Sequence, residues 1–208
     1  VALRARTNPV GPATPLAKAP GGVLVVLAEG DLAGGGGPRM DVLEAALAPG
    51  RDWWDAVATG ERRPAPDAPR LGDVLRRAGV RTVASGAAAS RLLGTPSVDT
   101  DPTRLVGPGV CVARDQLGWS APPVPAEVAV LVLPARVGPD ERFVPVLLVA
   151  PGASGRPSSP STRVPGFVAA TDLPTTIAAL CGVEARVGAG RPLGWIADDP
   201  GGLERRAM

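Results

Sequence analysis

Apolar residues along this chain fall into two rhythms, short unbroken aliphatic runs and longer stretches with one apolar face in three or four. Val23-Leu-Val-Val-Leu27 is an unbroken run ending at Glu29-Gly30-Asp31, the pattern of a strand buried on both faces. A glycine loop, Gly34 to Gly37, follows, and Pro38 then stands where a first helical turn tolerates proline. Val42, Leu43, Ala46 and Leu47 continue at helical spacing, so a strand, loop and helix are expected here. Leu71 to Ala78 reads as an amphipathic helix closed by Gly79 and running into a strand over 80–85. Further strands are expected over 109–113, 128–133 and 144–150, the last two central because they are nearly all Val, Leu and Ala. A helix is expected over about 173–181: Asp172 suits its N-cap, Pro174 its first turn, Leu173, Ile177 and Leu180 its apolar face, and Gly182 its stop.

Strands alternating with short helices predict an α/β fold, a mostly parallel sheet with helices on both faces. The Pro-rich residues 1–21 read as a flexible arm, 22–197 as the domain, and the polar residues 198–208 as a fraying tail.

Composition narrows the chemistry. Of 208 residues, 45% are hydrophobic, enough to fill one core, while 27 Gly and 25 Pro favour irregular patches between the packed segments. The net charge of +2 comes from interspersed charges with no basic block, so nucleic acid is not an expected partner. No apolar stretch approaches the roughly 20 residues that span a bilayer, and the first twenty residues lack a signal-peptide apolar core. The chain as given therefore reads as soluble. Cys111 and Cys181 are isolated, without CxxC spacing; they fit two buried small hydrophobes or, in an exported chain, a disulfide. There is no histidine and no tyrosine, which removes imidazole both as a proton carrier and as a zinc ligand.

Against that background, one block of sequence is specific. Phe143-Val-Pro-Val-Leu-Leu-Val-Ala-Pro-Gly152, then Ser161-Thr-Arg-Val-Pro-Gly-Phe-Val168, then Thr171-Asp-Leu-Pro-Thr-Thr-Ile177 and Gly182-Val183 resembles the late core of the alkaline phosphatase superfamily, sulfatases included. Leu71-Gly-Asp-Val-Leu-Arg-Arg-Ala-Gly-Val-Arg-Thr82 resembles the helix-to-strand passage of the same superfamily and lies in the expected order. Together the matches cover roughly 60 residues, and they are similar to divergent actinobacterial-type members in which such a domain is an extracytoplasmic part of a membrane protein. The resemblance implies a truncated alkaline-phosphatase-like core and membrane association through a parent or partner protein.

Catalysis in that superfamily requires a metal-binding carboxylate after the first strand, a hydroxyl or modified-Cys nucleophile, and a later Asp-His pair. By position, Glu29 or Asp31 matches the first carboxylate, and a polar turn after a buried strand would carry the same residues. Thr59, in Ala58-Thr-Gly-Glu, is the best placed nucleophile candidate, and also fits an ordinary loop threonine. Where the family carries Asp-His-Gly, this chain runs Val130-Leu-Val-Leu-Pro-Ala-Arg-Val-Gly-Pro-Asp140, leaving Asp140 and Glu141 without an imidazole partner. A di-zinc site is not expected. If activity remains, Glu29, Asp31 and Asp140 would hold magnesium or manganese through oxygen.

The favoured expectation is a degenerate, non-catalytic domain with no cofactor, acting as a binding or structural module. The alternative is a metal-dependent phosphate- or sulfate-ester hydrolase. A third reading is an anion or nucleotide binder at the Gly30 to Gly37 loop, which follows a strand but lacks the Gly-Lys-Ser/Thr ending of a phosphate loop. Ser158, Ser159, Ser161 and Thr162 with Arg156 and Arg163 fit an anion grip or a solvated loop. Adjacent Trp53 and Trp54 face different sides of a helix, one toward the core and one toward a contact surface.

Overall fold

The long aliphatic run forms the strand at the heart of the molecule. In the structure, a computed structural model, the residues described are 13–29, 40–43, 53–61, 63–99, 101–117, 123–135, 137, 143–153, 155–162 and 167–197. Val23–Glu29 is β2, preceded by the two-residue β1 (Thr14–Pro15) and followed by β3 (Met40–Leu43). Helices α1 (Trp53–Thr59) and α2 (Leu71–Arg77) come next, then β4 (Arg81–Ser85), α3 (Ala87–Leu93), a 3-10 turn (Pro102–Leu105) and β5 (Val110–Leu117). The remaining described elements are β6 (Ala129–Pro134), β7 (Phe143–Val149), β8 (Arg156–Ser158), β9 (Phe167–Ala169), α4 (Asp172–Leu180) and β10 (Gly194–Ile196).

Seven strands form one mixed sheet in the order β4-β5-β2-β6-β7-β3-β9, and β1, β10 and β8 form a small antiparallel sheet beside it. The fold is thus α/β. Parallel pairing holds across β4, β5, β2 and β6 and between β3 and β9; β7 pairs antiparallel with both β6 and β3. The reason lies in the connection. A parallel crossover needs a dozen or more residues, and only residues 135–142 separate β6 from β7, so the chain returns beside β6 as a hairpin.

Strand alternation divides the core into two faces. Val23, Val25 and Leu27 of β2 point into a cluster with Cys111 and Ala113 of β5 and Leu131 and Leu133 of β6. All four helices fill that same cluster, through Trp54 and Val57, Leu71 and Leu75, Leu92 and Leu93, and Leu173 and Ile177. Leu24, Val26, Val112, Val130 and Val132 form the opposite face, packed by half-buried Val98, Leu105, Val106 and Val124. The expectation of helices on both faces is therefore corrected: among the described residues the α-helices lie on one. The segments over the other face carry Pro96, Pro102, Pro108, Pro123 and Pro125, and each removes a backbone donor and blocks helix continuation.

Other expectations are adjusted locally. Met40–Leu43 is a strand between β7 and β9 rather than the start of a helix, and Ala46 and Leu47 lie outside the described residues. The described part of the expected arm is docked: Thr14 and Pro15 pair with β10, and buried Ala19 donates its N–H to the Leu180 carbonyl at 2.8 Å. Residues 198–208 lie outside the described residues. Trp54 is buried and donates its indole N–H to the Ala135 carbonyl at 3.1 Å, tying α1 to the end of β6. Cys111 and Cys181 are both buried and free.

Candidate functional site

In open α/β sheets ligands collect at the carboxyl ends of the parallel strands. Here that edge is formed by Glu29 of β2, Ser85 of β4, Leu117 of β5 and Pro134 of β6. Glu29 is exposed and lies in register with Leu117. Asp31 and Asp140, the other two carboxylates expected to hold a metal, lie outside the described residues, as do the Gly30 to Gly37 loop and Arg163. Among the described residues no group of three or more Cys, Asp or Glu side chains is placed to hold a metal ion.

Besides Glu29, the structure places Asp115 at this edge, a carboxylate that belongs to none of the motifs in the sequence. It projects from β5 and accepts N–H bonds from Ala88 at 3.1 Å and Ala89 at 2.9 Å, in the first turn of α3. A negative charge there satisfies two donors left unpaired by the helix start and complements the helix dipole. Gly86, at φ 102°, lets the chain turn over that carboxylate; a Cβ at this position would strike the Asp115 side chain. Replacing Asp115 with Ala is expected to cost about 1–2 kcal/mol. Urea denaturation of the two proteins checks this, and a loss within experimental error would mean that the cap is not needed.

Thr59, the nucleophile candidate, sits at the end of α1 and is 3% exposed. The hydroxyl donates to the Asp55 carbonyl at 2.5 Å and accepts the Glu61 N–H at 3.3 Å. Next to it, Gly60 turns at φ 68° against Val187, and its carbonyl accepts the Ala189 N–H at 3.2 Å. Thr59 thus lies at a junction between α1 and the segment 187–190.

The residues that carry the family resemblance act on the same segment. Asp172 is fully buried and is the first residue of α4 rather than its N-cap, which is Thr171. Its carboxylate accepts the Ser159 hydroxyl at 2.5 Å, the Ser161 hydroxyl at 2.8 Å and the Arg191 N–H at 2.9 Å. Thr175 Oγ1 donates to the Val187 carbonyl at 3.2 Å and accepts the Val187 N–H at 3.1 Å. Thr176 Oγ1 donates to the Asp172 carbonyl at 2.7 Å and accepts the Leu193 N–H at 3.0 Å. The Asp-Leu-Pro-Thr-Thr block is therefore a clamp on residues 187–193. Ser159 and Ser161, considered for an anion grip, point their hydroxyls at a carboxylate of their own chain.

Thr59 and Asp172 thus both hold the segment that follows Val187, and Gly60 and Thr171, their neighbours in the chain, lie against each other there. Sequence spacing gives no sign of this, because Ser159, Ser161, Asp172 and Arg191 are joined only by tertiary folding. Comparison of the chain with protein-family models, with curated proteins and with solved structures finds no match.

Proposed function

We propose that this chain is an alkaline-phosphatase-like domain that has lost its ester-cleaving chemistry and serves as a binding or structural module, with a membrane-associated parent or partner. One observation carries the proposal: the polar groups of the nucleophile candidate Thr59 and of the resemblance-bearing block Asp172 to Thr176 are committed to the chain's own atoms. The Thr59 hydroxyl makes two such bonds, and Asp172, Thr175 and Thr176 together hold residues 187–193. The sequence itself has no histidine to complete the metal shell that this superfamily uses. Membrane association rests on the resemblance; among the described residues no helix is long and apolar enough to cross a bilayer.

A turnover screen tests the proposal. Purified protein is mixed with aryl phosphates and aryl sulfates in the presence of magnesium or manganese, and Thr59→Val is carried in parallel. The expected result is no metal-dependent turnover by either protein, with Thr59→Val about 1–2 kcal/mol less stable because the Asp55 carbonyl and Glu61 N–H lose their partner. Metal-dependent turnover that disappears in Thr59→Val, in a variant that still folds, would replace the proposal with an ester hydrolase using Glu29, Asp31 and Asp140 as oxygen ligands.

A further inference from the structure

Both cysteines lie in the helix-side half of the core. On β5 the neighbours Val110 and Val112 face the opposite cluster, so strand alternation turns Cys111 toward the helices. Cys181 follows the last residue of α4, where its N–H donates to Ile177 at 3.0 Å and Gly182, at φ 80°, closes the helix. This helix end is fixed over the amino end of the strands. Ala19 donates to the Leu180 carbonyl at 2.8 Å, Gly22 donates to the Ala19 carbonyl at 3.1 Å, and the next residue, Val23, lies in register with Cys111. Three short steps of backbone thus link the two cysteines, and Cys181 is the neighbour that acts most on the Cys111 thiol.

We propose that Cys111 and Cys181 are a redox-sensitive pair that closes into an intramolecular disulfide, stapling β5 to the end of α4. The inference stands apart from the proposed loss of ester chemistry. Two cysteines in one core cluster, joined through Ala19, Gly22 and Val23, reach the S–S bond length of about 2 Å by side-chain rotation and a small shift of the helix end. Cys181 retains 7% exposure and Cys111 none, so the more reachable sulfur reacts first. The Cys181 thiolate attacks a low-molecular-weight disulfide, forming a mixed disulfide and releasing one thiolate. The Cys111 thiolate then attacks Cys181 Sγ, forming the protein disulfide and expelling the second thiolate. Two protein thiols thereby lose two electrons and two protons, and the small disulfide is reduced to two thiols.

The neighbouring Cys181 thiol, then burial and that sulfur's charge, hold the Cys111 thiol well above its ordinary pKa. Closure is therefore slow in the fully folded chain and faster at higher pH or when local opening admits solvent. Once closed, the bond encloses a loop of about 70 residues and strongly restricts the unfolded chain.

The test exposes the full chain, first reduced, to oxidised glutathione at pH 8.5 with a sub-denaturing concentration of urea. The protein is then denatured, alkylated and weighed without reductant. The expected product has lost two hydrogens, takes up no alkylating agent and carries no glutathione. Its Tm is higher than that of the reduced protein by roughly 10 °C, and dithiothreitol reverses the gain. Cys111→Ser is expected to stop at one glutathione on Cys181. Two alkylated thiols after prolonged exposure, glutathione on both cysteines, or a crosslink that lowers Tm would each overturn the proposal, and none of these readings requires the variant to fold.

Discussion

Replacing Asp172 with Ala is expected to lower the unfolding free energy by about 3–5 kcal/mol, the largest effect of any single polar substitution in the described core. The carboxylate is fully buried and satisfies two hydroxyls and one backbone N–H. Alanine removes all three acceptor contacts, so the Arg191 N–H and the Ser159 and Ser161 hydroxyls lose their acceptor, while Ser159 Oγ still accepts the Ser161 and Thr162 N–H groups. Each lost bond to a charged acceptor costs about 1.5–3 kcal/mol, and the three are not additive because the same loop relaxes around them. The damage should spread in a defined direction. Arg191 leads into β10, which pairs with β1 and β8, so amide protection in the small sheet should fall before that of β2 and β6. Asp172→Asn keeps one acceptor oxygen and should fall between the two. Denaturant titration with hydrogen exchange checks both points; a loss below about 1 kcal/mol for Asp172→Ala would show that the clamp is dispensable.

Gly60→Ala is expected to cost about 3 kcal/mol or more, by a different mechanism. The residue lies at φ 68°, where a Cβ adds about 1–2 kcal/mol of backbone strain. That Cβ would also collide with the carbonyl of Val187, a rigid backbone atom that cannot rotate away. Gly152 separates the two contributions: it has φ 71°, and a Cβ there meets nothing within 4 Å. Gly152→Ala should therefore lose only the strain, about 1 kcal/mol, so a ratio near one between the two variants in matched thermal melts would remove the argument for a tight α1 junction.

The parts of the fold that could be read in the sequence are those fixed by local pattern. Val23 to Ala28 has no polar position on either face, so a strand buried on both sides is the only economical reading. The apolar face of Leu173, Ile177 and Leu180 defines α4 in the same way. What escaped notice depends on distance along the chain. The direction of β7 follows from the length of a connection, not from its own residues, which suit a parallel or an antiparallel neighbour equally. Met40–Leu43 carries adjacent apolar residues that suit one turn of helix as well as a strand; pairing with β7 and β9, more than a hundred residues away, decides it. Proline-rich cover on the second face supplied apolar residues without the periodicity that marks a helix.

The candidate site was legible only as a set of residue types. Thr59 could be singled out because it precedes a glycine near a family-like passage, but its helix-end bond to Asp55 has the same i to i−4 spacing as many structural threonines. Asp172 marks the start of α4 to within one residue, as the first helical residue rather than the N-cap, yet the partners of its carboxylate come from two separate stretches of chain. Asp115 gives no local signal at all, since its contacts with Ala88 and Ala89 reach back to helix α3, 26 and 27 residues earlier in the chain.

The proposed loss of metal chemistry is most directly tested by titrating the full chain with Mn2+ and following the free ion by electron paramagnetic resonance. The expected result is weak, unsaturated binding that Asp31→Asn and Asp140→Asn do not change. Two manganese ions held per chain at micromolar concentration, spin-coupled and released by either substitution, would contradict it.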